Sequence, residues 1–227
     1  MFSLFLKRAI EAKNQTLQKW KWKAKDDTIA SALMDLKNDK FKARAEKKEN
    51  WQNSIIRNIC ITGVFAGLMC VLSPISIPVG AIPITLATLV LYLIGAIFNW
   101  KIASIIVLVY LLLGTMGLPV FSSFQGGFQV ILGPTGGYLV GYLPCVLIES
   151  LLLSLWPNKK WLFPISMVLG TIVLYAIGTI WFMFYSNTDF IKAIMGCVIP
   201  FLAGDAIKIA IATILGIRLR PILEKRS

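Results

Sequence analysis

The chain contains no histidine among its 227 residues. That removes the side chain most used for proton transfer near neutral pH, along with Ser-His nucleophilic arrangements and the usual zinc and haem ligand sets. Acidic residues are also few: eleven Asp and Glu stand against 23 Lys and Arg. No Walker A sequence occurs, because Gly133-Pro-Thr-Gly-Gly-Tyr138 lacks the lysine, so no phosphate cradle for ATP is expected. The four cysteines, Cys60, Cys70, Cys145 and Cys197, lie singly in apolar runs with no Cys-x-x-Cys spacing and read as small core hydrophobes. The apolar stretch before Lys7 is too short for the core of a cleavable signal. No catalytic activity, cofactor or metal site is expected.

What is present is apolar. Hydrophobic residues make up 57% of the chain and mean hydropathy is +0.74, well above a soluble domain. Charge is segregated: residues 1–58 hold fourteen Lys/Arg and seven Asp/Glu, against nine and four in the rest. The reading is a basic amphipathic arm over 1–54 and a membrane domain over 55–227. Candidate spans fall at 55–73, 83–99, 102–117, 136–156, 161–185 and 194–217, a six-helix all-α bundle. With both termini in the cytoplasm, 21 of the 23 basic residues lie on the inner side, which sets the expected orientation. In the arm, Trp20, Trp22, Phe41 and Trp51 interleave with basic residues, and Ile29, Leu33 and Leu36 fit one helical face. A solvated helix and a helix lying on anionic lipid headgroups both suit that pattern. Nucleic-acid binding is not expected.

Charge is missing altogether between Lys101 and Glu149, and this stretch holds a run rich in glycine and proline from Gly114 to Tyr142. Irregular backbone at membrane depth is tolerated where protein covers it or it lines a cavity. In the expected topology residues 117–135 and the uncharged loop 74–82 share the outer side, where they could fold together as a lid. Ser122, Ser123, Gln125 and Thr135 supply hydrogen-bonding groups there.

The last span carries Asp205 and Lys208, three apart and therefore on one helix face. A charge at bilayer depth costs at least about 2.5–3.5 kcal/mol, so such residues tend to face a cavity or a partner. A ligand-facing pair and a self-contained ion pair are the two readings. Gly204 beside Asp205 would allow close approach of a ligand or another backbone. Glu149 lies deeper and suits a contact inside the bundle. Gly63-x-x-x-Gly67 is a close-packing motif, serving either an internal contact or a partner protein.

Several motifs in order resemble the BioY family, the biotin-binding S components of energy-coupling factor (ECF) transporters. They are Ile75-Ser-Ile-Pro-Val-Gly, Ile82-Pro-Ile-Thr-Leu, Gly117-Leu-Pro-Val-Phe, Gly126-Gly, Gly133-Pro-Thr-Gly-Gly-Tyr-Leu and Gly204-Asp-Ala-Ile-Lys. The resemblance implies a plasma-membrane six-helix bundle that holds biotin near its outer face, working with a T component and two ATP-binding-cassette ATPases. It assigns Asp205 and Lys208 to biotin contact. It assigns the stretches 121–127 (Phe121, Ser123, Gln125, Gly126, Gly127) and 133–138 (Thr135, Gly136, Tyr138) to lid and pocket wall. One departure is Ala87, where the family carries glutamine. Two alternatives stand beside this reading: a self-sufficient proton- or ion-coupled carrier titrating at Asp205, and an S component for another vitamin.

Overall fold

The computed structural model describes residues 8, 11–16, 28–77, 82–156 and 159–224. Trp20, Trp22, the loop tip 78–81, Asn158, Lys225 and Arg226 lie outside these, as do the side chains of Ile29 and Leu33. The chain divides into two compact units, Met1–Ile56 and Arg57–Ser227. In the first, Lys13 Nζ sits 4.0 Å from the centre of the Phe41 ring, a cation–π contact. Leu36 and Trp51 are exposed. The span expected from residue 55 lies within α1 (Thr28–Leu72). No proline or glycine occurs from Thr28 to Thr62, so nothing there stops a helix.

Among its described residues the second unit is mostly helical, with one small antiparallel hairpin. After the apolar end of α1 come β1 (Ser76–Ile77) and β2 (Ile84–Thr85), paired Ser76 to Thr85 and Ile77 to Ile84. Then follow α2 (Ala87–Ile97), α3 (Trp100–Thr115), the short α4 (Phe128–Leu132), α5 (Gly136–Leu155), α6 (Leu162–Ser186), α7 (Phe190–Cys197) and α8 (Ile199–Glu224). Among the described residues, four segments are long and apolar enough to cross a bilayer: Ile55–Leu72, Gly136–Leu155, Leu162–Ser186 and Ile199–Ile222. With the shorter apolar α2 and α3 they give the six-helix arrangement.

Local chemistry sets several boundaries. Asn99 caps α3, its Oδ1 accepting from the Ile102 amide at 3.1 Å, and Asn187 in the left-handed region ends α6. The expected second span, 83–99, is shortened to an eleven-residue helix because Pro83 to Thr85 are taken up by the hairpin. Eleven residues rise only about 16 Å, roughly half of a hydrocarbon core. The remainder of this crossing is irregular backbone, and it lines the cavity described below. The expected sixth span, 194–217, is broken at Val198, and α8 starts anew with Pro200 in its first turn, where the missing amide hydrogen costs little.

The core lies where α5 packs along α6 and α2 along α8. Small residues let the helices approach: a Cβ at Gly178 would fall 2.5 Å from the Tyr138 ring, and one at Gly141 would fall 2.9 Å from Leu174. Outward-facing Leu108 and Leu112 on α3, Ile172 and Ile180 on α6, and Ile207 and Ile214 on α8 are exposed, an apolar perimeter suited to lipid.

Candidate functional site

At the end of the bundle that carries the hairpin, β2, α2, α5, α6 and α8 enclose a cleft of about 550 Å³ including its mouth. The cleft is a narrow slot rather than an open chamber. Its walls are Ile82, Pro83, Leu139, Leu174 and the rings of Tyr138, Tyr142, Tyr175 and Phe201, with Ser73, Ser122 and Thr135 adding hydroxyls. Phe201 stacks against Tyr138 at 6.4 Å and meets Tyr175 edge-on at 6.4 Å. The Tyr138 hydroxyl donates to the Cys197 carbonyl at 3.3 Å, which ties α5 to the break before α8.

Asp205 and Lys208 lie at the floor, with side chains 4% and 10% exposed. Their spacing on α8 brings Lys208 Nζ to 2.9 Å from Asp205 Oδ1. The ammonium also donates to the Thr85 carbonyl at 2.8 Å and to Thr88 Oγ1 at 2.8 Å. Thr88 Oγ1 in turn donates to Asp205 Oδ1 at 3.2 Å, and the Tyr175 hydroxyl donates to Oδ2 at 2.6 Å. Because residues 82–86 leave the helical ladder, the Thr85 carbonyl is free to receive the lysine. Charge neutrality and dense hydrogen bonding together make burial of the pair tolerable. Tyr175→Phe, which strips one donor from this buried carboxylate, is expected to destabilise the fold by about 1–3 kcal/mol, read as a fall in unfolding temperature.

A wider outer space of about 1,160 Å³, open solvent at its mouth included, adjoins the slot and shares Pro83, Ser122 and Thr135 with it. It is lined in addition by Ser123, Gln125, Gly126, Gln129, Val130, Gly133, Pro134 and Tyr185. The two uncharged loops meet here. The Ser123 amide donates to the Pro74 carbonyl at 3.2 Å and to Ser76 Oγ at 3.1 Å, and the two serine hydroxyls are 3.0 Å apart. Ser123 and Phe124 adopt the left-handed region, with φ of 56° and 58°, a conformation uncommon outside glycine.

The residues singled out from the sequence therefore separate into three groups. Asp205, Lys208, Thr135 and Tyr138 share the slot, and Ser123, Gln125 and Gly126 line the outer space together with Thr135. Phe121, Gly127, Gly136 and Gly204 line neither. Phe121 is fully buried, packs edge-on to Tyr110 at 5.6 Å and fills the space beside Gly114, so it anchors the loop from behind. Gly127, at φ 97°, starts α4, and its amide donates to the Gly114 carbonyl at 2.7 Å. Gly136 takes its place by close approach to the Ile131 carbonyl, and Gly204 has only Ile84 within reach, 3.8 Å from a built Cβ. Sequence reasoning passed over Thr88, Tyr142, Tyr175 and Phe201. The four-residue spacing of Tyr138 and Tyr142, which puts both on one helix face, was the available signal for Tyr142.

The chain matches the BioY family over residues 41–225. It is 37% identical to the biotin transporter BioY of Thermotoga maritima over 171 residues, which is 75% of this chain and 100% of that one. It is 33% identical to the biotin transporter BioY2 of Lactococcus lactis over 168 residues, 74% of this chain and 92% of that one. Among solved structures, the biotin S-component of an ECF-type ABC transporter superposes with a TM-score of 0.71 at 26% identity, covering 74% of this chain and 93% of the other. These relatives are transporters rather than enzymes, and this chain is a multi-pass protein of the plasma membrane. By the extent of the match and by its six-helix architecture, this chain belongs to the BioY family.

Proposed function

We propose that this protein is the substrate-capturing S component of a biotin uptake system. The observation that carries the reading is the buried Asp205–Lys208 pair at the floor of an aromatic slot, in a chain of this family. The slot offers what the vitamin needs: apolar walls for its fused rings and chain, and hydrogen-bonding groups at the floor for its polar end. The deciding experiment is a titration of the purified protein with biotin and a panel of other vitamins. Selective, saturable binding of biotin supports the reading, and selective binding of another vitamin would reassign it.

Turnover requires energy from elsewhere, and an ECF module of a T component and two ATP-binding-cassette ATPases is the proposed source. Gly63 and Gly67 support a docking role for α1: a Cβ at either would meet no atom within 4 Å. Their neighbours Val64 and Val71 are also exposed. Gly67→Leu is therefore expected to impair uptake when the partner proteins are present and to leave biotin binding nearly intact. A loss of binding would place Gly67 in an internal contact.

The proposed orientation has both termini in the cytoplasm and the slot opening outward. Single cysteines in a background lacking the native four should react with an impermeant external reagent at Gln125 and should not at Lys160. The reverse pattern would invert the topology.

A further inference from the structure

We propose that the N-terminal unit binds anionic lipid headgroups through a basic stripe on α1, made of Lys37, Lys40, Arg44 and Lys47 and closed by Trp51. The surface it meets is the inner leaflet, so the reading rests on the cytoplasmic N-terminus proposed above. External labelling at Gln125 and Lys160 tests that orientation separately.

The charges of this stretch are sorted by sign. Lys37, Lys40, Arg44, Lys47 and Trp51 follow one another at spacings of three, four, three and four, the repeat that keeps residues on one helix face. Asp35, Asp39, Glu46 and Glu49 fall on the opposite face, with Lys42 among them. The side chains of both stripes are exposed, Trp51 by 65%. Asn38, Phe41 and Ala45 are half-buried and form a third side between the stripes, where Lys13 Nζ reaches the Phe41 ring. Packing within the unit therefore lies beside the basic stripe and leaves it open.

Such sorting works against a helix in water. Lys37 with Lys40, Lys40 with Arg44, and Arg44 with Lys47 are like charges three or four apart, and each such pair weakens a helix. Asp35 with Asp39 and Glu46 with Glu49 do the same on the other face. A solvated helix gains from mixing its signs, yet of the bases from Lys37 to Lys48 only Lys42 has acids at that spacing, Asp39 and Glu46. An anionic surface relieves the repulsion along the basic face and leaves the acidic face turned to water. Position leads to the same partner. Trp51 lies four residues before Ile55, where an apolar segment of membrane length begins, and tryptophan favours headgroup level. Bases just cytoplasmic of a span are drawn to the negative inner leaflet, and the tether holds them within its reach.

The test uses the full-length protein with one environment-sensitive dye on Leu36→Cys, in a background lacking the native four cysteines. Leu36 is exposed and borders the stripe. The protein is reconstituted in bilayers carrying a nitroxide quencher on the headgroup. The dye should be quenched in phosphatidylcholine containing phosphatidylglycerol. It should not be quenched in phosphatidylcholine alone, or at about 1 M salt, where the screening length is about 3 Å. Lys40→Gln should lower the ratio of quenched to unquenched dye about fivefold, the attraction of one base to such a surface. Lys37→Gln, Lys40→Gln, Arg44→Gln and Lys47→Gln together should abolish quenching, and glutamine preserves the helix because its propensity matches that of lysine and arginine. Lys42→Gln, on the other face, should change the ratio less than Lys40→Gln does. Equal quenching in neutral bilayers, an equal effect of Lys42→Gln, or persistence of quenching in the quadruple variant would overturn the proposal. A dye response that appears only on adding RNA, or only as protein density rises in neutral bilayers, would also overturn it and give the stripe to nucleic acid or to a second copy of the chain.

Discussion

Asp205→Asn and Lys208→Ala are each expected to weaken biotin binding by roughly tenfold to a hundredfold or more, from about 1.5–3 kcal/mol for a hydrogen bond to a charged group. The two losses arise by different routes. Asp205→Asn turns one carboxylate oxygen into a donor amide and leaves the Lys208 ammonium without its counter-charge. Lys208→Ala removes no free donor, since all three hydrogens are engaged within the protein. It loosens Thr85 and Thr88 and leaves the Asp205 carboxylate uncompensated in a site 3% exposed. The double change Asp205→Asn with Lys208→Met separates holding the ligand from tolerating burial. Replacing a buried pair by neutral groups of similar volume is often harmless to the fold, so thermal stability should recover. Binding should not, because the charged acceptor at position 205 is gone. A folded double variant with near-normal biotin affinity, measured by titration, would remove Asp205 and Lys208 from the site.

Much of this arrangement was written in local patterns. Span positions follow from apolar runs of membrane length, and Asp205 with Lys208 stands out because ionisable groups inside a span need a reason. The glycine-rich segment 117–135 marked the mouth because no lipid-facing helix uses so many helix breakers. Other features were not readable because they depend on pairings across the sequence. Thr88 and Tyr175 are ordinary hydroxyl residues until α2 and α6 bring them to within 3.2 Å and 2.6 Å of Asp205. Phe121 sits in a motif that suggests a pocket wall, yet the space beside Gly114 draws its ring into the core. The short α2 was hidden as well: Ile82 to Thr88 is apolar enough for a helix, and only the hairpin with Ser76 and Ile77 diverts it. Ala87, the departure from the resemblance noted above, is fully buried.

The remaining large effect concerns Glu149, which is fully buried on α5 with Oε2 lacking a hydrogen-bond partner. Its carboxyl lies in a niche opened by Gly95 on α2, and its chain also passes Gly170 on α6, where a Cβ would sit 3.1 Å from Glu149 Cγ. Within a helix, Gly→Ala normally stabilises by about 1 kcal/mol. At Gly95 the opposite is expected, because the added methyl would overlap the Glu149 carboxylate and lie 2.8 Å from its Cβ, an atom fixed to the backbone. Overpacking of this kind costs about 1–3 kcal/mol, or a fall of roughly 2–4 °C per kcal/mol in unfolding temperature for a chain of this size. Glu149→Ala alone opens a void but also removes an unpartnered buried oxygen, two opposing changes that should leave a smaller net effect. The pair Gly95→Ala with Glu149→Ala places a methyl where the carboxylate was, so stability should return most of the way. That is a coupling of about 0.5–3 kcal/mol in a double-mutant cycle. If the double variant instead loses the sum of the two single changes, Glu149 does not occupy the Gly95 niche, and the close approach of α2 to α5 must have another origin.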